Sequence, residues 1–157
     1  MVANDQWGPP LWRILHTLAE RLGRQTIRLL ETDERRAWVN LLRSIQAVMP
    51  CAKCRAHYKA WRTTHPTERF ITSYDLRADA REWLWALHEE VNRERGATGP
   101  ALEELPGLYG GRTGQELQDD TKAVLAALQQ ATLERLIAPE AVHAFRNCLS
   151  MLRRFSG

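Results

Sequence analysis

No hydrophobic run in the 157-residue sequence approaches the roughly 20 residues that a spanning helix needs, so no membrane association is expected. The first residues, Met1-Val2-Ala3-Asn4-Asp5-Gln6, have neither the basic start nor the apolar run of a secretory signal, and a cytoplasmic location is the expectation. Cysteine is scarce. Three residues, an odd number, argue against a disulfide-stapled scaffold and for a specific use of the close pair. No second CxxC and no HxxxH completes a familiar zinc pattern. Internal repeats, low-complexity tracts and convincing strand alternation are all missing, which leaves a helix bundle as the natural architecture. The net charge is only +3, and the basic residues are scattered among acids along the chain, so a nucleic-acid partner is not expected.

Helical spacing accounts for most of what is there. Leu11, Ile14, Leu15, Leu18 and Leu22 form the core stripe of a first helix expected to open at Pro9-Pro10 and end near Gly23. A second helix is expected after the cap pair Thr32-Asp33, carrying Trp38, Leu41, Leu42, Ile45 and Val48, until Pro50 breaks it. A third opens at Cys51 and runs to about Thr63, stopped by Thr64-His65-Pro66. Ser73 or Asp75 caps a fourth with the stripe Leu76, Ala80, Trp83, Leu84, Leu87 and Val91, ending at Gly96. Glycine and proline interrupt any period over 96–114, which reads as a connecting loop. Two further helices follow, at roughly 115–136 and 139–155. The expected organisation is a core over 1–98, a loop over 99–114, and a helical extension over 115–157 packed on the core or on a second subunit.

Cys51-Ala52-Lys53-Cys54 puts two sulfurs one helical turn apart at a helix start. Unpaired N–H groups and the positive end of the helix dipole favour a thiolate there, and Lys53 and Arg55 add in the same direction. A stabilised thiolate is what thiol–disulfide exchange requires. The same spacing also serves zinc, with His57 and His65 nearby, and structural thiols. Cys148 lies on the apolar face of the last helix with Phe145, Leu149 and Leu152, either as a buried core cysteine or as an intersubunit or shuttle thiol.

Six tryptophans are many for a domain of this size, and large flat side chains either fill cores or line flat ligand pockets. Trp12 and His16 lie about 100–140° to one side of the first helix's core stripe, at 100° per residue. On the fourth helix Trp85, His88 and Asn92 stand at i, i+3 and i+7, likewise beside the apolar face. A flat heteroaromatic ligand between the two helices would use this set; equally, the tryptophans could finish the core with the histidines at its rim.

Three blocks carry a resemblance that covers about residues 7–98. They are Trp7-Gly8-Pro9-Pro10-Leu11-Trp12-Arg13-Ile14-Leu15-His16-Thr17-Leu18-Ala19, Pro50-Cys51-Ala52-Lys53-Cys54, and Trp83-Leu84-Trp85-Ala86-Leu87-His88-Glu89-Glu90-Val91-Asn92. In order and spacing they resemble the FAD-linked sulfhydryl oxidases of the Erv/ALR family, most of all the minimal viral-type single-domain members. The resemblance implies an all-α fold: a four-helix bundle binding FAD, usually as a homodimer, here with additional C-terminal helices. It implies a thiol oxidase that forms disulfides in a thiol-containing protein, such as a thioredoxin-like one, or in a small dithiol. The electrons pass through FAD to O2, giving H2O2. Cys51 is then the interchange thiol and Cys54 the flavin-proximal one. Gly8, Trp12, His16, Tyr58, Trp85, His88, Val91 and Asn92 match cofactor-binding positions, and no metal is implied. Three positions depart from the family pattern: Arg21 in place of a tyrosine, Glu89 in place of an asparagine, and Ala97 in place of a phosphate-side lysine, whose charge Arg93 or Arg95 supplies.

Overall fold

A computed structural model describes residues 2–156. Among these there is no strand; the chain folds into α1 (Asn4–Ala19), α2 (Arg28–Val48), α3 (Ala52–Thr64), α4 (Leu76–Arg95), the short α5 (Leu105–Tyr109), α6 (Gly114–Leu133) and α7 (Pro139–Arg153). Short 3₁₀ segments at Thr67–Thr72 and Leu102–Glu104 lie before α4 and α5. The fold class is therefore all-α, as expected. No described helix is long and apolar enough to cross a membrane.

Several boundaries differ from the sequence reading, each for a local reason. The first helix opens at Asn4, ahead of the prolines, because the Gln6 carboxamide accepts the Ala3 N–H at 2.7 Å and closes the first turn. Pro9 and Pro10 are accommodated inside α1, where the carbonyls they leave without a donor belong to the exposed residues Asp5 and Gln6. The second helix starts at Arg28, and Thr32 is no cap: its hydroxyl donates back to the Arg28 carbonyl at 3.2 Å, as helical threonines do. The fourth helix follows the expected signals, with the Asp75 carboxylate accepting the Ala78 N–H and Gly96 at φ +66 ending it. The stretch expected to be a plain loop holds α5.

One continuous apolar cluster runs through α1, α2, α4, α6 and α7. Trp7, Trp38 and Trp83 are buried in it, whereas Trp12, Trp61 and Trp85 are only partly covered. Helix α6 lies along α1 and α7 along α2. Buried charge ties α1 to its neighbours at its middle and at its C-terminal end. Asp120 of α6 accepts from Arg13 at 3.0 Å and from Arg112 at 2.7 Å, and Glu20 takes both ends of the Arg81 guanidinium at 2.7 Å. The extension is thus part of the core and not an appendage. Phe145→Ala, at a fully buried position of α7, is expected to lower unfolding free energy by about 3–5 kcal/mol. Urea denaturation checks this: a midpoint that barely moves would mean α7 does not share the core.

Candidate functional site

Helix α3 exists to present its N-terminus. Pro50 ends the preceding segment, Cys51 is the N-cap in extended conformation, and its Sγ accepts the Cys54 N–H at 3.1 Å. Cys51 and Cys54 are joined in a disulfide with their Cα atoms 5.1 Å apart. Both residues are half-buried, and the Arg55 guanidinium is folded back onto the Met49 carbonyl beside them. The backbone N–H groups opening α3 therefore face Cys51 Sγ, whereas the Arg55 guanidinium is engaged with a backbone carbonyl. The two histidines weighed as zinc partners point elsewhere. His57 Nδ1 lies 3.2 Å from Glu94 of α4, with Glu90 close by, and His65 stacks on Trp61 with ring centroids 3.5 Å apart.

Helix α3 packs antiparallel to α4. Trp83, near the start of α4, donates to the His65 carbonyl at 3.0 Å, while His57 meets Glu94 near its end. The disulfide stands at the N-terminus of α3, and His57, one turn further along, meets Glu94 near the end of α4.

The Trp and His stripes of α1 and α4 meet. Trp12 and His88 stack face to face, centroids 3.9 Å apart and planes within 3°, which is van der Waals contact and leaves no room for a third ring between them. His16 sits 5.6 Å from His88 by centroid, and its Nε2 and His88 Nδ1 are hydrogen-bonded across 3.3 Å, one donating to the other according to tautomer. Burial, reinforced by His88, pushes the His16 pKa down to about 3; burial, reinforced by Arg95, pushes that of His88 down to about 4. Both imidazoles are neutral at pH 7. Each is therefore able to donate with one ring nitrogen and accept with the other.

The remaining sequence-derived positions divide. Asn92 is 9% exposed beneath the strap that follows α4, and a Cβ at Gly99 would come within 2.8 Å of its Nδ2, so a larger residue there would displace the Asn92 amide. Trp85 holds the same strap by donating to the Pro100 carbonyl at 3.1 Å. Arg95 is exposed but near enough to bear on His88, and Val91 is half-buried against the core. Tyr58 is not with the rings. Its hydroxyl is committed to the Leu42 carbonyl at 2.6 Å and its ring to the edge of Trp83, so it braces α3 on α2. Gly8 has open space where a Cβ would stand, so no protein neighbour requires glycine there.

One residue of the ring set escaped the sequence reading. Tyr109, on α5, stacks on His16 with centroids 4.7 Å apart and planes within 17°. Its turn is braced by Arg112, whose carbonyl accepts from Arg21 at 2.8 Å and whose guanidinium reaches Thr17 and Asp120. Arg21, a departure from the family pattern, thus has a use in this chain: it anchors the segment that carries Tyr109. Pro106 at the start of α5 and Gly110 at its end were the available signals, but five residues are too few to show a period.

The family model for the Erv1 / Alr family matches residues 9–103, more than half of the chain. The FAD-linked sulfhydryl oxidase ERV1 of Oryza sativa subsp. japonica is 26% identical over 95 residues, covering 60% of this chain and 44% of that protein. The FAD-linked sulfhydryl oxidase ERV1 of Arabidopsis thaliana is 24% identical over 109 residues, covering 69% and 52%. The chain thus spans about half the length of the curated relatives it matches. No solved structure matches it.

Proposed function

The chain belongs to the Erv1 / Alr family, and from that premise we propose that it is an FAD-linked thiol oxidase whose working disulfide is Cys51–Cys54. The observation that carries the reading is the Cys51–Cys54 disulfide at the N-cap of α3, and the stacked Trp12, His16 and His88 between α1 and α4 support it as the proposed cofactor side.

The residues present fit FAD. Flat rings offer stacking surface, two neutral imidazoles offer donors and acceptors, and Asn92 adds a buried amide under the Gly99 strap. Arg95 and Arg93 provide positive charge at the end of α4 for phosphates. Trp12, His16, His88, Asn92 and Tyr109 would hold the group, with Trp85 fixing the strap and Val91 the floor. When bound, FAD would take two electrons from the reduced cysteine pair and deliver them to O2, giving H2O2.

The protein's own part is thiol–disulfide exchange. A substrate thiolate attacks Cys51 Sγ; the Cys51–Cys54 bond breaks and Cys54 leaves as thiolate. The second substrate thiol then attacks the mixed disulfide, forming the substrate's disulfide and releasing Cys51. The N–H groups opening α3 and the neighbouring Lys53 and Arg55 stabilise the sulfur anions in both steps. The proposed substrate, a thioredoxin-like protein or a small dithiol, exchanges directly with Cys51. A homodimer would assemble on faces other than those of α1 and α2 that α6 and α7 cover.

The test is an absorbance spectrum of the purified protein, then oxygen uptake on adding dithiothreitol. Flavin bands with oxygen consumption are expected. A colourless protein that does not take up added FAD would remove the oxidase reading and leave shared ancestry alone.

A further inference from the structure

Along the sequence the basic residues look scattered, but the fold collects four of them. Arg55, Lys59 and Arg62 stand at i, i+4 and i+7 on one side of α3, opposite Arg43, Gln46 and Ala47 on α2. Between them is an open cleft of about 460 Å³, floored by Ala47 and Ala56, with no carboxylate in its lining. Its cations are only partly used within the chain. Arg43 pairs with Glu68 outside the cleft, Arg55 with the Met49 carbonyl, and Arg62 with Gln46 at 2.8 Å. The Arg62 Nε–H is buried without an acceptor, a costly state for a donor. Arg55 follows Cys54 directly, so the cleft begins where the disulfide ends.

We propose that this cleft is the docking surface for an acidic segment of the protein whose thiols are oxidised, and so selects the substrate. The proposal rests on the thiol-oxidase reading. Four cations facing one cleft, with Glu68 outside it as the paired carboxylate, favour a carboxylate-rich partner, raise the encounter rate and lose that advantage in salt. An Asp/Glu-rich stretch lying along α3 would deliver an adjacent dithiol to Cys51, and its carboxylates would pair with the exposed Lys59. A small dithiol has no such segment and is indifferent to the cleft.

The experiment uses the full-length FAD-loaded protein and three reductants: dithiothreitol, a CxxC peptide flanked by Asp and Glu, and the same peptide flanked by Ser. At low salt the acidic peptide is expected to show about tenfold higher kcat/KM than the Ser peptide, the difference closing in high salt. Lys59→Glu, at an exposed position, and the Lys59→Glu/Arg43→Glu double variant should erase the difference while leaving dithiothreitol oxidation within about twofold. Equal rates for the two peptides would overturn the proposal. Loss of dithiothreitol turnover in the unmodified protein would instead strike the oxidase reading. In that event, fluorescence anisotropy with a labelled acidic peptide carrying Ser for Cys still decides the cleft: binding lost in Lys59→Glu supports it, and no binding refutes it. Equal or tighter binding of a DNA duplex would assign the surface to nucleic acid and also refute it.

Discussion

Cys54→Ser is expected to lower dithiothreitol-driven oxygen uptake by about a thousandfold or more while the purified protein keeps its flavin absorbance. Serine is nearly isosteric, and the Cys54 backbone N–H, which donates to residue 51, is untouched, so the α3 cap survives. What disappears is the disulfide, and with it the electron acceptor for the substrate. Cys51→Ser should stop substrate oxidation as completely, because no sulfur then stands at the N-cap for the incoming thiolate. Cys148→Ser is the control. Cys148 is unpaired and packs against the core on α7, and its replacement should leave turnover within about twofold. Near-normal oxygen uptake by either Cys51 or Cys54 variant would dismiss the exchange mechanism, whereas loss of flavin in both would assign these cysteines to cofactor retention.

How far the sequence could be read depended on the length of each signal. The stripes of α1, α2, α4 and α7 repeat over several turns, and their residues lie in the core or pack against it, but of the α6 stripe Leu117, Val124, Leu125, Leu128 and Leu133 the last, at the helix end, is 72% exposed. The Cys51 cap and the ring set Trp12, His16 and His88 were visible for a similar reason, since offset from a known core stripe fixes direction. Side-chain commitments were not visible. Nothing local tells that Tyr58 spends its hydroxyl on Leu42, sixteen residues away, or that Arg21 holds Arg112, ninety-one residues away. Tyr109 was hidden because α5 is shorter than two turns and its neighbour His16 lies in another element. The basic cleft was hidden because charge gathers across a helix seam, which counting along the chain cannot register.

The two histidines make the fold acid-sensitive in a way that can be calculated in sign. His16 has a pKa of about 3 in the folded protein against 6.5 unfolded, and His88 about 4. Between the folded and unfolded values the unfolded chain binds more protons, so stability rises with pH. The contribution is complete above pH 6.5 and drains away as pH falls towards 4 and then 3. For His16 alone the loss from pH 7 to pH 5 is about 2 kcal/mol. His88 is more accessible and adds less. Glu34, held above the ordinary carboxylate value by burial, works in the opposite sense, favouring the folded state on acidification from neutral pH. His16→Gln separates the contributions, since glutamine keeps a donor and an acceptor but does not titrate. Urea midpoints at pH 7.5 and pH 5 should differ clearly in the unmodified protein and distinctly less in the variant. An equal fall in both would place the acid sensitivity outside the ring cluster. Neutral imidazoles are also what the proposed cofactor contacts require, and in the folded protein they persist until about pH 4 and 3, so flavin release from folded protein is expected only below the range in which stability falls.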